Sequence, residues 1–296
     1  VLRVNPEGKV ELLQPEMPGK IRYVAGGVAG QDGSAYFAPY NAGKVLRVNA
    51  EGNVELLEPE MPGECKYPAG GVAGQDGSIY FAPCNAGKVL RVNAEGDVEL
   101  LAPEMPGEGK YLAGGVAGQD GRIYFAPCNA RKVLCVNAEG NVELLEPEMP
   151  GGGKYLAGGV AGQDGSIYFA PYNAGKVLRV NAEGNVELLE PEMPGEGKYY
   201  AAGVASQDGS IYFAPCDAGK VLRVNPEGKV ELLAPEMPGE GKYLAGGVAG
   251  QDGSIYFAPC DAGKVLRINA EGNVELLEPE MPGGSKYHAA GVAGRD

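Results

Sequence analysis

The chain has 296 residues, 44% of them hydrophobic and 22% charged, with a formal net charge of −14. That balance lacks the basic footprint that a phosphate backbone demands, so nucleic acid is excluded as a partner, and an anionic membrane surface is argued against for the same reason. No apolar run is long enough for a transmembrane helix, and no signal peptide is visible, although a chain that begins at Val1 in mid-pattern says little about the latter.

The pattern is one 44-residue unit written almost seven times. Copies start at Val1, Val45, Val89, Val133, Val177, Val221 and Val265, and the last stops at Asp296, twelve residues short. A unit of this size cannot bury an adequate core alone, so its copies must stack into one domain spanning 1–296. In chain order, residues 1–14 supply two strands. Complete four-strand units then fall at 23–58, 67–102, 111–146, 155–190, 199–234 and 243–278, and one strand remains at 287–295. Within a unit, Tyr67–Gln75 leads to the Asp76-Gly77 hairpin turn. Ser78–Pro83 is the second strand, and Asn85-Ala86-Gly87 turns into Val89–Asn93. Glu95-Gly96 then turns into Val98–Leu101. Pro103–Lys110 (PEMPGEGK), with two prolines and two glycines, is the longest loop. IYFA, VLRV and VELL are apolar on both faces, as in a sheet covered on both sides. Four antiparallel strands at this period predict an all-β propeller, most simply with seven blades and with six or eight as alternatives.

Six cysteines are present. Cys84, Cys128, Cys216 and Cys260 share one repeat position, where Tyr40 and Tyr172 stand in other copies. Equivalent positions in neighbouring sheets lie roughly 10 Å apart, beyond the ~7 Å that a disulfide spans. Cys65 and Cys135 each occur in one copy only. All six are read as free thiols, which favours a reducing compartment. A single histidine, His288, and no C-x-x-C pair argue against a metal site, and no cofactor is expected.

Four features could carry chemistry. The Asp-Gly turns, such as Asp76, read as hairpin turns before cation ligands. The seven methionines, Met17, Met61, Met105, Met149, Met193, Met237 and Met281, either seal the loop between blades or form an adaptable surface. Glu60 and its equivalents could ring a cation, or simply be solvated. Tyr23, Tyr67, Tyr111, Tyr155, Tyr199, Tyr243 and Tyr287, with Lys66, Lys110, Lys154, Lys198, Lys242 and Lys286, are the candidate ligand-binding residues. Aromatic rings beside cations suit sugars or planar ligands, against the alternative of rings packed between blades with bonded hydroxyls. The residue after each Tyr varies: Val24, Pro68, Leu112, Leu156, Tyr200, Leu244, His288. The PEMPGEGK loops and CNAGK turns should share one face, and that loop face is where a ligand would bind.

The stretch GGVAGQDGSIYFAPCNAGKVLRVNAEGNVELL, of which Gly114–Leu145 holds a variant, resembles the blades of NHL-repeat, streptogramin-lyase-like and lactonase-like propellers. The resemblance covers the whole chain and implies that the Gly-rich strand is innermost and VELL outermost. The near-identity of the copies is that of a recently amplified or idealised repeat. Enzymes of those families use unlike residues converging on a channel mouth, among them histidines or metal-binding carboxylates, and one histidine does not assemble the lyase pattern. The recurrent Asn41, Asn85, Asn129 and Asn173 give way to Asp217 and Asp261. The reading that follows is a non-enzymatic, monomeric propeller, a rigid scaffold with repeated weak sites for a protein or glycan. The alternatives are a hydrolase or lyase at the channel mouth, and a scaffold without a ligand.

Overall fold

The computed structural model describes residues 2–4, 8–13 and 21–292. Among these there is no helix. Strands β1 (Leu2–Val4) and β2 (Val10–Leu12) form a two-stranded antiparallel sheet. The first complete blade is β3 (Val28–Ala29), β4 (Ala35–Phe37), β5 (Val45–Val48) and β6 (Val54–Leu57), hydrogen-bonded in that order. The second is β7 (Val72–Ala73), β8 (Ile79–Phe81), β9 (Val89–Val92) and β10 (Val98–Leu101). Four more four-stranded sheets of the same order lie at 116–145, 160–189, 204–233 and 248–277. The architecture is the expected all-β propeller type, built of repeated antiparallel blades. The final inner strand expected at 287–295 shows no strand over 287–292, and its remainder lies outside the described residues, as does Met17.

The chain forms two compact units: Val1–Ala117 with Gly121–Phe125 and Leu134–Leu144, and Gly118–Asp120 with Ala126–Val133 and Leu145–Asp296. In the first, a core of Tyr36, Val45, Met61, Tyr67, Ile79, Phe81 and Leu90 joins the first two blades. In the second, Tyr168, Val177, Met193, Tyr199, Ile211, Phe213 and Leu222 repeat it. The methionine is therefore a sealing residue: Met61, Met105, Met149, Met193 and Met237 are 4–5% exposed.

Two strands differ from their sequence reading. The innermost strand is two residues long, not nine, because only Val72 and Ala73 pair with β8, as Val72↔Tyr80 and Ala73↔Ile79. Gly71, just before it, lies under the Phe81 ring; a Cβ there would stand 2.5 Å from the ring. Glycine at this position makes room for the aromatic ring of the next strand. At the other edge, VELL is not covered on both sides. Leu56, Leu100 and Leu188 are exposed, so one face of this outermost strand has no layer packed over these side chains. The middle strands behave as expected, with Ile79, Tyr80 and Phe81 all buried.

Candidate functional site

The loop face is stitched by backbone bonds between the end of the PEMPG loop and the turn after each second strand. Cys84 N–H donates to Lys66 O (2.8 Å), Asn85 N–H to Cys65 O (3.1 Å) and Lys110 N–H to Cys84 O (3.1 Å). The turn Asn completes the seam. Asn85 Oδ1 accepts the Gly109 N–H at 2.9 Å, and Asn41, Asn129 and Asn173 accept the equivalent amide. Asp217 and Asp261 do the same for Gly241 (2.7 Å) and Ser285 (2.6 Å), which explains why Asp can replace Asn here: either supplies the Oδ1 acceptor.

Behind this seam stand the Tyr and Lys of each G-K-Y. Tyr67, Tyr111, Tyr155, Tyr199 and Tyr243 are 1% exposed. The hydroxyls of Tyr67, Tyr155, Tyr199 and Tyr243 donate to the carbonyls of Lys88, Lys176, Lys220 and Lys264, and burial pushes their phenols well up. Tyr23 is half-buried, bonds Lys44 O at 2.8 Å and is pushed up to about 12 by burial, which the Arg22 charge only partly offsets. Tyr287 is exposed. Lys66, Lys110, Lys154, Lys198 and Lys242 are buried, each with its ammonium on a loop glycine carbonyl three residues back, and burial lowers their pKa. Lys286 makes the same bond nearer the surface. Tyr67 and Lys66 reach the floor of a shallow cleft of about 300 Å³ with Met61, Lys88, Leu100 and Glu104. Tyr199 and Lys198 do so in the second unit, in a cleft of about 290 Å³. Their polar groups are already bonded, so they build the wall rather than offering free groups to a ligand.

The groups that break the repeat lie in front of that wall. A cleft of about 500 Å³ in the second unit is lined by Tyr172, Asn173, Glu196, Gly197, Asp217 and Glu240. The Tyr172 ring meets Tyr200 edge-on, centroids 6.0 Å apart at 70°. The Tyr172 phenol is pushed up by burial first, then by Cys216, Asp217, Tyr200 and Glu196. One aromatic ring and three carboxylates line the cleft, which suits a ligand with apolar and hydrogen-bond-donating groups. Two repeats further on, the Tyr172 position is Cys260 and the Tyr200 position is His288, and these also touch, Sγ to Nε2 at 3.9 Å. His288 is exposed; Cys260 is 1% exposed. Among the described residues, no group of three or more His, Cys, Asp or Glu side chains is arranged to hold a metal ion.

Sequence reasoning missed one constellation, on the Asp-Gly turns. Asp76 Oδ1 accepts Ser78 N–H, and Oδ2 accepts the Ser78 and Tyr80 hydroxyls and Arg91 Nη2 at 2.7–3.0 Å. Arg91 also bonds Ser78 Oγ, reaches Glu99 and lies 5.8 Å from the Tyr80 ring centroid. The Asp is thus the knot of three strands, more than a turn residue. In the first blade burial would raise the Asp32 pKa. The hydrogen bonds of Ser34 and Tyr36 and the Arg47 charge outweigh it and hold the carboxyl at about 2. The signal was present as D-G-S-x-Y with an Arg thirteen residues after the Ser. The copy that lacks this Arg, having Cys135, carries Arg122 in place of the Ser.

The model of the virginiamycin B lyase family matches residues 1–189 and 115–291. A search of curated proteins gave no match. Among solved structures, the chain is similar to a streptogramin B lyase at 20% identity and TM-score 0.62, over 88% of this chain and 86% of that one. The Staphylococcus aureus virginiamycin B lyase is similar at 17% identity and TM-score 0.63, over 88% and 85%. Its catalytically inactive variant, one histidine replaced by alanine and solved with quinupristin, gives 18% and 0.63 over 86% and 83%. A Lactobacillus plantarum protein matches at 14% and 0.61 over 94% and 90%. These likenesses show the fold. The family match overturns the expectation of a non-enzymatic scaffold with repeated weak sites, because the family it identifies is one of enzymes.

Proposed function

The chain belongs to the virginiamycin B lyase family, and we propose that it is itself an enzyme of the lyase type, with a loop-face cleft of the second unit receiving substrate and His288 taking the proton. The observation that carries this reading is the placement of the one imidazole in the chain. It stands exposed on the loop face, at the position that differs most between repeats, with Cys260 holding its Nε2 side. Imidazole is the side chain most often used as a general base, and an elimination requires a base placed to take a proton. The base removes a proton, the C–H electron pair becomes a double bond, and the leaving group departs with the pair of its own bond. The cleft of Tyr172, Glu196, Asp217 and Glu240 lies two repeats before His288 and offers an aromatic ring and carboxylate acceptors to a substrate. The inactive histidine variant of the Staphylococcus aureus relative supports assigning the role to a histidine.

The test is incubation of the protein with virginiamycin B and with quinupristin, the compounds that the relatives' names supply. Elimination leaves the total mass unchanged, as one ring-opened isomer separable by chromatography or as fragments whose masses sum to that of the substrate. Hydrolysis adds one water, and that result would move the assignment to the hydrolase class. His288→Ala should lower turnover by about 100-fold or more, in the range that general-base catalysis contributes. Both compounds recovered intact from the wild-type protein would remove the lyase reading for these substrates, and full activity in His288→Ala would remove His288 from it.

A further inference from the structure

None of the six cysteines is bridged in the structure, and the repeat spacing keeps the four at one repeat position too far apart to pair. That spacing, however, concerns cysteines at the same repeat position. Cys65 and Cys84 occupy different positions, and their sulfurs are 3.6 Å apart. The two stretches of backbone that carry them are already zipped together, by Cys84 N–H to Lys66 O at 2.8 Å and Asn85 N–H to Cys65 O at 3.1 Å. Asn41 Oδ1 pins the Cys65 amide at 2.9 Å. A disulfide needs its sulfurs at about 2.05 Å, so closing the pair takes side-chain rotation of some 1.5 Å and no rearrangement of the strands.

The sequence supports the pairing independently. Position 65 is glycine in four other copies, as Gly109, Gly153, Gly197 and Gly241, all with φ between 58° and 65°. Cys65 holds φ 50° there, in a region that costs a side chain about 1 kcal/mol or more. The one copy that bears this cost with a cysteine is the one whose seam partner, Cys84, is also a cysteine.

We propose that Cys65 and Cys84 are a thiol–disulfide couple, a modification site that closes when a small disulfide oxidant of the glutathione class is present. Cys65 is half-buried and reachable, whereas Cys84 is 1% exposed. The Cys65 thiolate attacks one sulfur of the oxidant, the oxidant's S–S bond breaks, and one small thiol leaves. The Cys84 thiolate then attacks Cys65 Sγ in the mixed disulfide and a second small thiol leaves. Two protein thiols have been oxidised and one disulfide reduced, with both protons passing to the released thiols. Burial, chiefly, and the neighbouring Cys65 push the Cys84 thiol up to about 12, so the second step should accelerate with pH. The product ties the loop that crosses between blades to the turn after β8.

The test is thiol titration in denaturant after exposure of the folded protein to oxidised glutathione, with peptide mapping by mass spectrometry. The expected result is a fall from six free thiols to four, with one cross-linked peptide containing Cys65 and Cys84. Cys65→Ser should retain five free thiols under the same treatment, whereas Cys84→Tyr should stop at the mixed disulfide, with four free thiols, one glutathione on Cys65 and no cross-link. Both variants keep the fold plausible, since Ser285 and Tyr172 stand at these positions in other copies. Six free thiols after exposure, a cross-link between any other pair, or glutathione retained on Cys65 beside a free Cys84 would each overturn the proposal.

Discussion

At the scale of single residues, the loop-face seam turns on one left-handed position. Four copies fill it with glycine, and three fill it otherwise: Ile21, Cys65 and Ser285, with φ of 49°, 50° and 52°. Glycine carries no Cβ penalty in this region. Ser285→Gly should therefore stabilise the protein by about 1 kcal/mol, measured as a higher urea midpoint at unchanged slope. Ser285 binds Asp261 through its backbone N–H, which glycine keeps. A midpoint unchanged or lowered would mean that the serine side chain contributes something the seam needs. This position was legible as a recurrent glycine in G-E-G-K; what could not be read is that its own amide donates to an Asn or Asp across the seam, because that partner lies 24 residues away.

At the scale of the strand and its blade, the sequence conveyed four strands to each complete blade and their order, and misjudged their extents. The reason is visible at Gly71 and Phe81. A glycine-rich run reads as one continuous strand of small residues. Its pairing is in fact confined to Val72–Ala73, and the glycine before it is occupied from above by a ring that belongs to the next strand. Gly71→Ala places a methyl 2.5 Å from that ring. The ring is 1% exposed and cannot swing into solvent without giving up its place in the core. The substitution should cost about 1–3 kcal/mol, the usual range for overpacking, read from chemical unfolding. The same change at Gly70, whose added Cβ would meet nothing, should cost far less and serves as the control. The Tyr–Lys pairs show the same limit: their spacing marked them, but only tertiary structure reveals that the hydroxyl reaches a carbonyl 21 residues on.

At the scale of the whole molecule, repetition multiplies small electrostatic terms. Asp32, Asp76, Asp164 and Asp252 all have lowered pKa values, Asp32 at about 2. In the first three, burial acts the other way and is outweighed by hydrogen bonds from Ser and Tyr and by an Arg. A carboxyl whose folded pKa lies below its unfolded value of roughly 3.9 binds fewer protons folded than unfolded. Its stabilisation is complete above the unfolded pKa and is lost as pH falls through the folded one. Stability should thus fall between about pH 4 and pH 2, with several protons taken up together. Replacing Asp32, Asp76 and Asp164 by Asn should lower stability at neutral pH and flatten that acid slope. An unchanged slope would mean that other carboxylates govern acid unfolding. The architecture was readable because its period repeats through the chain. The candidate site was not, because it consists of the places where the copies disagree, and a lone Tyr200 or His288 looks like noise until the seam sets Tyr172 and Cys260 against them.

The seam has one more consequence. Among the described residues, the bonds that recur from junction to junction use a backbone group or the same Asn, Asp, Tyr and Lys, so near-identical copies can follow one another. A gene with such tandem near-identical segments can gain or lose a unit of 44 residues by unequal exchange and still encode complete junctions. Evolution of this chain can thus change the count of its blades in whole steps, while the residues at its loop face decide, copy by copy, which of them acquires a task.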